Sequence, residues 1–270
     1  MTNQCAFAAM ANSFVLFKMS LLYYSAKTDI GLVRSNNEDA LLVKPALRLW
    51  AVADGMGGHA SGEVASEITN KVIEQGINNG LTLAEAIQQA HKSVIKEAQQ
   101  NTEYAGMGST VVAILSSGAQ YQVAWVGDSR AYLWGRSKLG RQLEQLTTDH
   151  SYVQMLYQAG AITAKEMHCH PERNVITQCL GSEDLISVQV DTIDREWAKD
   201  DWVLLCSDGL TDVVNDQNIC DVLSAHTKID AAVDALIELA IANGGRDNIS
   251  VLIVSKPPTG FQRILSALGV

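Results

Sequence analysis

Six acidic residues sit where apolar runs stop or turns begin. Asp54 follows the run Leu49–Ala53 in LWAVADGMGGHASG, and Asp208 follows Val203–Cys206 in VLLCSDGL. Glu38 and Asp39 lie in VRSNNEDA, Asp128 in VGDSR just after an apolar segment, and Asp247 in GGRDNIS just before the last one. Taken singly, each is an ordinary turn former, because Asp and Gly suit tight backbone geometry. Taken together, they would gather several carboxylates at the ends of buried strands. Crowded carboxylates repel one another unless a cation neutralises them. Two divalent ions at ~3.5–4 Å, sharing one carboxylate and a water, would satisfy such a cluster. The candidate ligands are all oxygens, without His or Cys at matching positions, which selects Mg²⁺ or Mn²⁺ over zinc. Glycine after Asp54 and Asp208 would let the backbone turn sharply, and it leaves the Gly55 carbonyl accessible as a further ligand. Arg34, four residues before Glu38, carries a planar fork suited to a phosphate. Its plain alternative is a surface ion pair with a nearby acid.

Strands and helices must bring these residues together. Val, Ile, Leu and Trp concentrate in short runs at 40–43, 49–53, 110–115, 121–126, 130–134, 186–190, 202–206 and 249–254, which predict strands. The run Val203–Cys206 is apolar on both faces, as in a strand covered on both sides. Thr82-Leu-Ala-Glu85 is a capping box, and Leu83, Ala86, Ile87, Ala90, Val94 and Ala98 follow at helical spacing. Glu63 to Asn78 predicts a helix with Val64, Ile68, Val72 and Ile73 inward, stopped at Asn79-Gly80. Two further helices are expected over Asp216 to Ala225 and Asp230 to Ala242, the second burying Ala232, Leu236, Leu239 and Ala240. Strands clustered apart from helices predict an α+β fold, with two packed antiparallel sheets flanked by helix pairs. No repeat or Pro/Ser linker divides the chain, so one domain is expected. Residues 148–185, with little periodicity, read as an inserted surface flap.

Composition narrows the function. Of 270 residues, 47% are hydrophobic, enough for a large core. The net charge of −10 excludes the basic face that nucleic-acid binding needs. Five cysteines, Cys5, Cys169, Cys179, Cys206 and Cys220, form no CxxC pair, and an odd number fits poorly with a disulfide framework. They read as reduced, mostly buried thiols of a cytoplasmic protein. His168-Cys169-His170 lacks a second ligand pair at finger-like spacing, so zinc is not expected there. The apolar stretch Ala6–Phe17 is too short to span a bilayer, and no basic residue precedes it as in a signal peptide. Residues 1–18 read as a disordered extension or a mis-set start, and no membrane contact is expected.

The motif series VRSNNEDA, VADGMGGHASGE, GMGSTVVA, VAWVGDSRAYLW, LTTDHS, LLCSDGLTD and GGRDNISVLIV resembles that of metal-dependent Ser/Thr protein phosphatases of the PPM, or protein phosphatase 2C, family in its compact bacterial form. The resemblance covers about residues 22–256 in order and spacing. It implies a phosphatase domain over 19–256, with the flap at about 148–185 and a tail at 257–270. It implies that Asp54 bridges two core metals, Mn²⁺ or Mg²⁺, with the Gly55 carbonyl as a further ligand. Glu38 would serve one ion, largely through water, and Asp208 and Asp247 the other. Asp39 would orient a metal-bound water, Arg34 would bind the substrate phosphate, and Asp128 with Asp208 can hold a weaker third ion. The implied substrates are phosphorylated Ser/Thr proteins, opposite a cognate Ser/Thr kinase, with the enzyme a monomer. One departure stands out: animal members carry a histidine after the DG pair as proposed general acid, whereas this chain has Met56. His59 is near in sequence but not in that slot.

Three rival readings remain open. G-x-G-x-x-A over Gly55–Ala60 meets a loose dinucleotide fingerprint, but Asp54 would set a negative charge beside the pyrophosphate and βαβ alternation is missing. A pseudophosphatase would capture phosphoproteins without turnover, yet Asp54, Asp208 and Asp247 are intact. A hydrolase of another phosphoester is the third.

Overall fold

The strand Trp202–Cys206 is buried at every residue because its two faces enter different cores. Val203 and Leu205 pack into one, Trp202, Leu204 and Cys206 into the other. This alternation gives the layering of the whole molecule. The computed structural model describes residues 22–58, 61–138 and 140–256. The segment 1–18 with Cys5, His59 and the tail 257–270 lie outside the described residues.

In chain order the strands are β1 (Tyr23–Asp29), β2 (Asp39–Lys44), β3 (Leu49–Met56), β4 (Gly108–Ser109), β5 (Val111–Ser117), β6 (Gln120–Val126), β7 (Arg130–Ser137), β8 (Gly140–Gln145), β9 (Asp191–Glu196), β10 (Trp202–Cys206) and β11 (Ile249–Ser255). The helices are α1 (Ser61–Asn78), α2 (Leu83–Gln100), α3 (Tyr152–Gln158), α4 (Ala164–Cys169), α5 (Asp208–Thr211), α6 (Asp216–Ala225) and α7 (Ile229–Ala242). One sheet has the order β1-β11-β10-β7-β8 and the other β2-β3-β5-β6-β9, with β4 on the end of β3. All pairings are antiparallel.

Trp50, Val52, Ile114, Val123, Val203, Leu205, Leu252 and Val254 fill the layer between the sheets. Leu204, Val251 and Ile253 face Leu223, Val233 and Leu236 of α6 and α7. Leu49 and Ala51 face Ile73 of α1 and Leu83, Ala86, Ile87 and Ala90 of α2 on the opposite side. The α+β expectation therefore holds as four layers, helix–sheet–sheet–helix. The capping box of α2 is present in full, and the six apolar residues read from its spacing are all buried.

Four expectations need correcting. Residues 186–190 form no strand: Ile186 is 97% exposed, while Val188 and Val190 reach the helix-side core from a loop. The strand lies just beyond, at β9. β1 and β8 were not foreseen, because each lies on a sheet edge with much of its surface open, and edge strands carry little apolar pattern. In α1 the buried face is Ala65, Ser66, Thr69, Asn70 and Ile73, whereas Val64 and Ile68 turn toward Val94, Ala98 and Met107. Small residues let α1 lie close on the second sheet, where Ser66 Oγ donates to the Glu38 carbonyl at 2.6 Å and Asn70 Nδ2 to the Ala40 carbonyl at 3.0 Å. The segment 148–185 is not without helices, since it contains α3 and α4.

Candidate metal centre

Antiparallel register sets Asp39 of β2 directly opposite Asp54 of β3. Opposed residues point to the same face, so the two carboxyls are neighbours by construction. Asp54 is clamped through its main chain: its N–H donates to Thr110 Oγ1 at 3.3 Å and its carbonyl accepts from Thr110 N–H at 2.8 Å. From the other sheet, β10 delivers Asp208 at the start of α5, and Asp247 precedes β11.

The two glycines serve a purpose other than the expected one. β3 runs past Asp54 to Met56, and neither Gly55 nor Gly209 has a positive φ. What both need is space. A Cβ on Gly55 would lie 2.0 Å from the Gly62 carbonyl oxygen and 2.7 Å from that of Glu38. One on Gly209 would lie 2.0 Å from the Asn248 carbonyl oxygen. Backbone-to-backbone contact of this kind tolerates no side chain.

The carboxyls interact strongly. Burial, then the charges of Asp39, Asp208 and Asp128, hold the Asp54 pKa well above the usual carboxylate range. Asp128 is raised by burial and then by Asp208 and Asp149. Asp208 is pushed up to about 6 by burial, Asp212 and Asp247, with Asp54 and Arg34 opposing the rise. Burial lifts Asp39 to about 8 against the hydroxyls of Ser250 and Ser207, with Asp208 and Asp247 adding to the rise. Glu38 is raised by burial, with Arg34 opposing. The arrangement thus stores like-charge repulsion that a cation would relieve.

A second observation fits a cation. Asp39 Oδ2 accepts from Ser207 Oγ at 2.8 Å, but Asp39 Oδ1 is buried without a partner. A buried carboxylate oxygen left unbonded is costly and rare. Among the described residues no three of His, Cys, Asp and Glu form a ready-made cage for one ion. Cys169 is exposed.

Arg34 takes the plainer of its two expected partners: Nη2 donates to Asp247 Oδ2 at 2.7 Å, on a half-exposed pair at the rim. The flap joins the rim through the bridge from Ser109 to Leu180 and through Asn174 Nδ2, which donates to Asp212 Oδ2 at 3.2 Å, while a bridge from Ser151 to Ile176 closes the flap on itself.

Sequence reasoning missed the residues that hold the acids in place. Asn248 Oδ1 accepts from Glu38 N–H at 2.8 Å, and its Nδ2 donates to the Ile30 and Asn36 carbonyls at 3.0 Å each. One amide therefore ties the Asp247 turn to the Glu38 loop across more than two hundred residues. His150 Nδ1 accepts from Gly127 N–H at 3.2 Å and braces the turn that carries Asp128. The available signal was a lone polar residue beside each acid: Asn248 after Asp247, Ser207 before Asp208.

The thiols differ in part from expectation. Cys206 is buried and pushed up to about 12 by burial, hence inert, but Cys179 and Cys220 are only half-buried.

The chain is similar to known proteins over most of its length. The family model described as Protein phosphatase 2C matches residues 33–240. The serine/threonine protein phosphatase PstP of Mycobacterium tuberculosis is 38% identical over 239 residues, 86% of this chain, which spans 45% of that longer protein. The serine/threonine phosphatase stp of Listeria welshimeri is 36% identical over 243 residues, covering 85% of this chain and 94% of its own length. A crystal structure of the catalytic domain of PstP in complex with 2 manganese ions superposes with a TM-score of 0.75 at 34% identity, covering 87% of this chain and 97% of that one.

Proposed function

Because the chain belongs to the protein phosphatase 2C family, we propose that it hydrolyses phosphoserine and phosphothreonine in proteins, with Mn²⁺ or Mg²⁺ as cofactor. The observation that carries this reading is the convergence of Asp39, Asp54, Asp128 and Asp208 on one another, with Asp39 Oδ1 unpaired among them. Glu38, Asp54, the Gly55 carbonyl, Asp208 and Asp247 would hold two core ions, and Asp128 with Asp208 a third. When bound, the ions supply Lewis acidity, lowering the pKa of water and offsetting charge on phosphoryl oxygens.

The chain's own residues do the rest. Arg34 has five donors in a rigid fork and one weakly shielded partner, so a phosphate can take the place of Asp247 against it. Asp39, fixed by Ser207, keeps Oδ1 as an acceptor for a water proton. With water as the attacking group no side-chain nucleophile is needed, and Cys206 is sealed in β10. Met56 leaves the departing oxygen to take its proton from water. The biological counterpart would be a Ser/Thr kinase acting on the same proteins. Acting as a cytoplasmic monomer suits that role. Among the described residues no helix is long and apolar enough to cross a membrane.

The test is turnover of p-nitrophenyl phosphate and of a phosphothreonine peptide with Mn²⁺, then with excess chelator. Activity should vanish with chelator and in Asp54→Asn and Asp208→Asn. Tight phosphopeptide binding without turnover in either metal would replace this reading with that of a pseudophosphatase.

A further inference from the structure

Leu32 and Val33 are 67% and 69% exposed, adjacent, and placed directly before Arg34. Scattered surface aliphatics are ordinary, but these two are displayed by a loop that is firmly held. Gly31 N–H donates to Asp29 Oδ1 at 2.9 Å, and Leu32 N–H to the Gly245 carbonyl at 2.7 Å. Asn248 grips the Ile30 and Asn36 carbonyls on either side. Gly31 adopts a φ of +78°, and a Cβ there would come within 2.4 Å of the Asp247 carbonyl oxygen. The same backbone contacts that fix Arg34 beside Asp247 therefore fix two apolar side chains pointing into solvent at the rim.

We propose that Leu32 and Val33 form an apolar rim that receives the side chain next to the phosphoresidue of the substrate, so that the enzyme favours phosphopeptides with an apolar neighbour. This rests on the phosphatase reading above. Successive Cα atoms are ~3.8 Å apart and an extended peptide advances ~3.3 Å per residue, so a phosphate held at Arg34 sets its first or second neighbour opposite Val33 and Leu32. Rigid display lowers the ordering cost of the contact.

The experiment compares kcat/KM on three substrates with Mn²⁺: p-nitrophenyl phosphate, a phosphothreonine peptide flanked by leucines, and the same peptide flanked by serines. The wild type should favour the leucine peptide by about tenfold, the scale of partial burial of one aliphatic side chain. Leu32→Ser with Val33→Ser should erase that preference and leave p-nitrophenyl phosphate turnover and thermal unfolding unchanged. Equal rates on both peptides in the wild type, or an equal loss on all three substrates in the variant, overturns the proposal, the second outcome meaning that the loop only holds Arg34. Absence of wild-type turnover on every substrate overturns the phosphatase reading itself, and the rim with it.

Discussion

Asn248→Ala should loosen the metal centre without touching a carboxylate. The side chain is 4% exposed and makes three hydrogen bonds, to Glu38 N–H and to the carbonyls of Ile30 and Asn36. Each such bond contributes about 1 kcal/mol net, so truncation should cost about 3 kcal/mol. Stranding the Glu38 N–H, whose neighbourhood is buried, pushes the figure up, and water entering at the half-buried Asn36 side pulls it down. For a domain of this size, 3 kcal/mol corresponds to a fall in Tm of about 6–12 °C. The loss should fall unevenly on function. Asn248 joins the Glu38–Asp39 loop to Asp247, so its removal separates acids contributed by the two sheets. The Mn²⁺ concentration for half-maximal activity should therefore rise about tenfold or more, while activity at saturating Mn²⁺ recovers in large part. Thermal unfolding by circular dichroism and a Mn²⁺ activation curve read the two effects separately. A Tm within about 2 °C of wild type, together with an unshifted activation curve, would refute the claim that this amide couples the sheets at the site.

Asp54→Asn should abolish metal-dependent turnover and raise the Tm of the chelated protein, because it removes a carboxyl whose ionisation burial and Asp39, Asp208 and Asp128 make unfavourable in the fold; calorimetry in chelator checks this. In chelator, stability should fall as pH rises. Asp208 titrates near 6 and Asp39 near 8 in the folded chain, against 3.8 as the ordinary value, so the folded state binds protons more tightly, and the penalty grows from pH ~4 until both are ionised above pH ~8. Saturating Mn²⁺ should remove that fall, and unfolding scans across the range would show a flat profile if the reasoning is wrong. Iodoacetamide should modify exposed Cys169 long before buried Cys206, as mass mapping would reveal, and modification of Cys206 in the folded protein would contradict its burial.

Much of the fold was legible because its central strands and α2 are simple solutions to burial. Val203–Cys206 must be covered on both faces, and once two cores are required, two sheets with outer helices follow. The spacing Leu83, Ala86, Ile87, Ala90, Val94, Ala98 admits only one face. What escaped were elements whose stability comes from a partner and not from their own pattern. β1 owes its place to register with β11, and β8 to register with β7. α1 itself was legible, but its buried face was not, because its strongest apolar residues serve α2 and its small polar face lies against β2 and the loop before it.

The acids were visible one by one, whereas what makes them a site was not. Asp39 and Asp54 meet through strand register, but Asp54 and Asp208 meet only because two sheets pack so that β3 and β10 end near the same place. The residues that enforce that meeting are polar but chemically quiet: Thr110 on Asp54, Ser207 on Asp39, Asn248 on Glu38. Each satisfies a main-chain group or half a carboxylate, and none satisfies Asp39 Oδ1. A fold selected only for stability would pair that oxygen or replace the aspartate with an apolar residue. Holding the backbone rigid while leaving the carboxyls crowded keeps the repulsion from relaxing away, and so leaves its relief to an incoming cation.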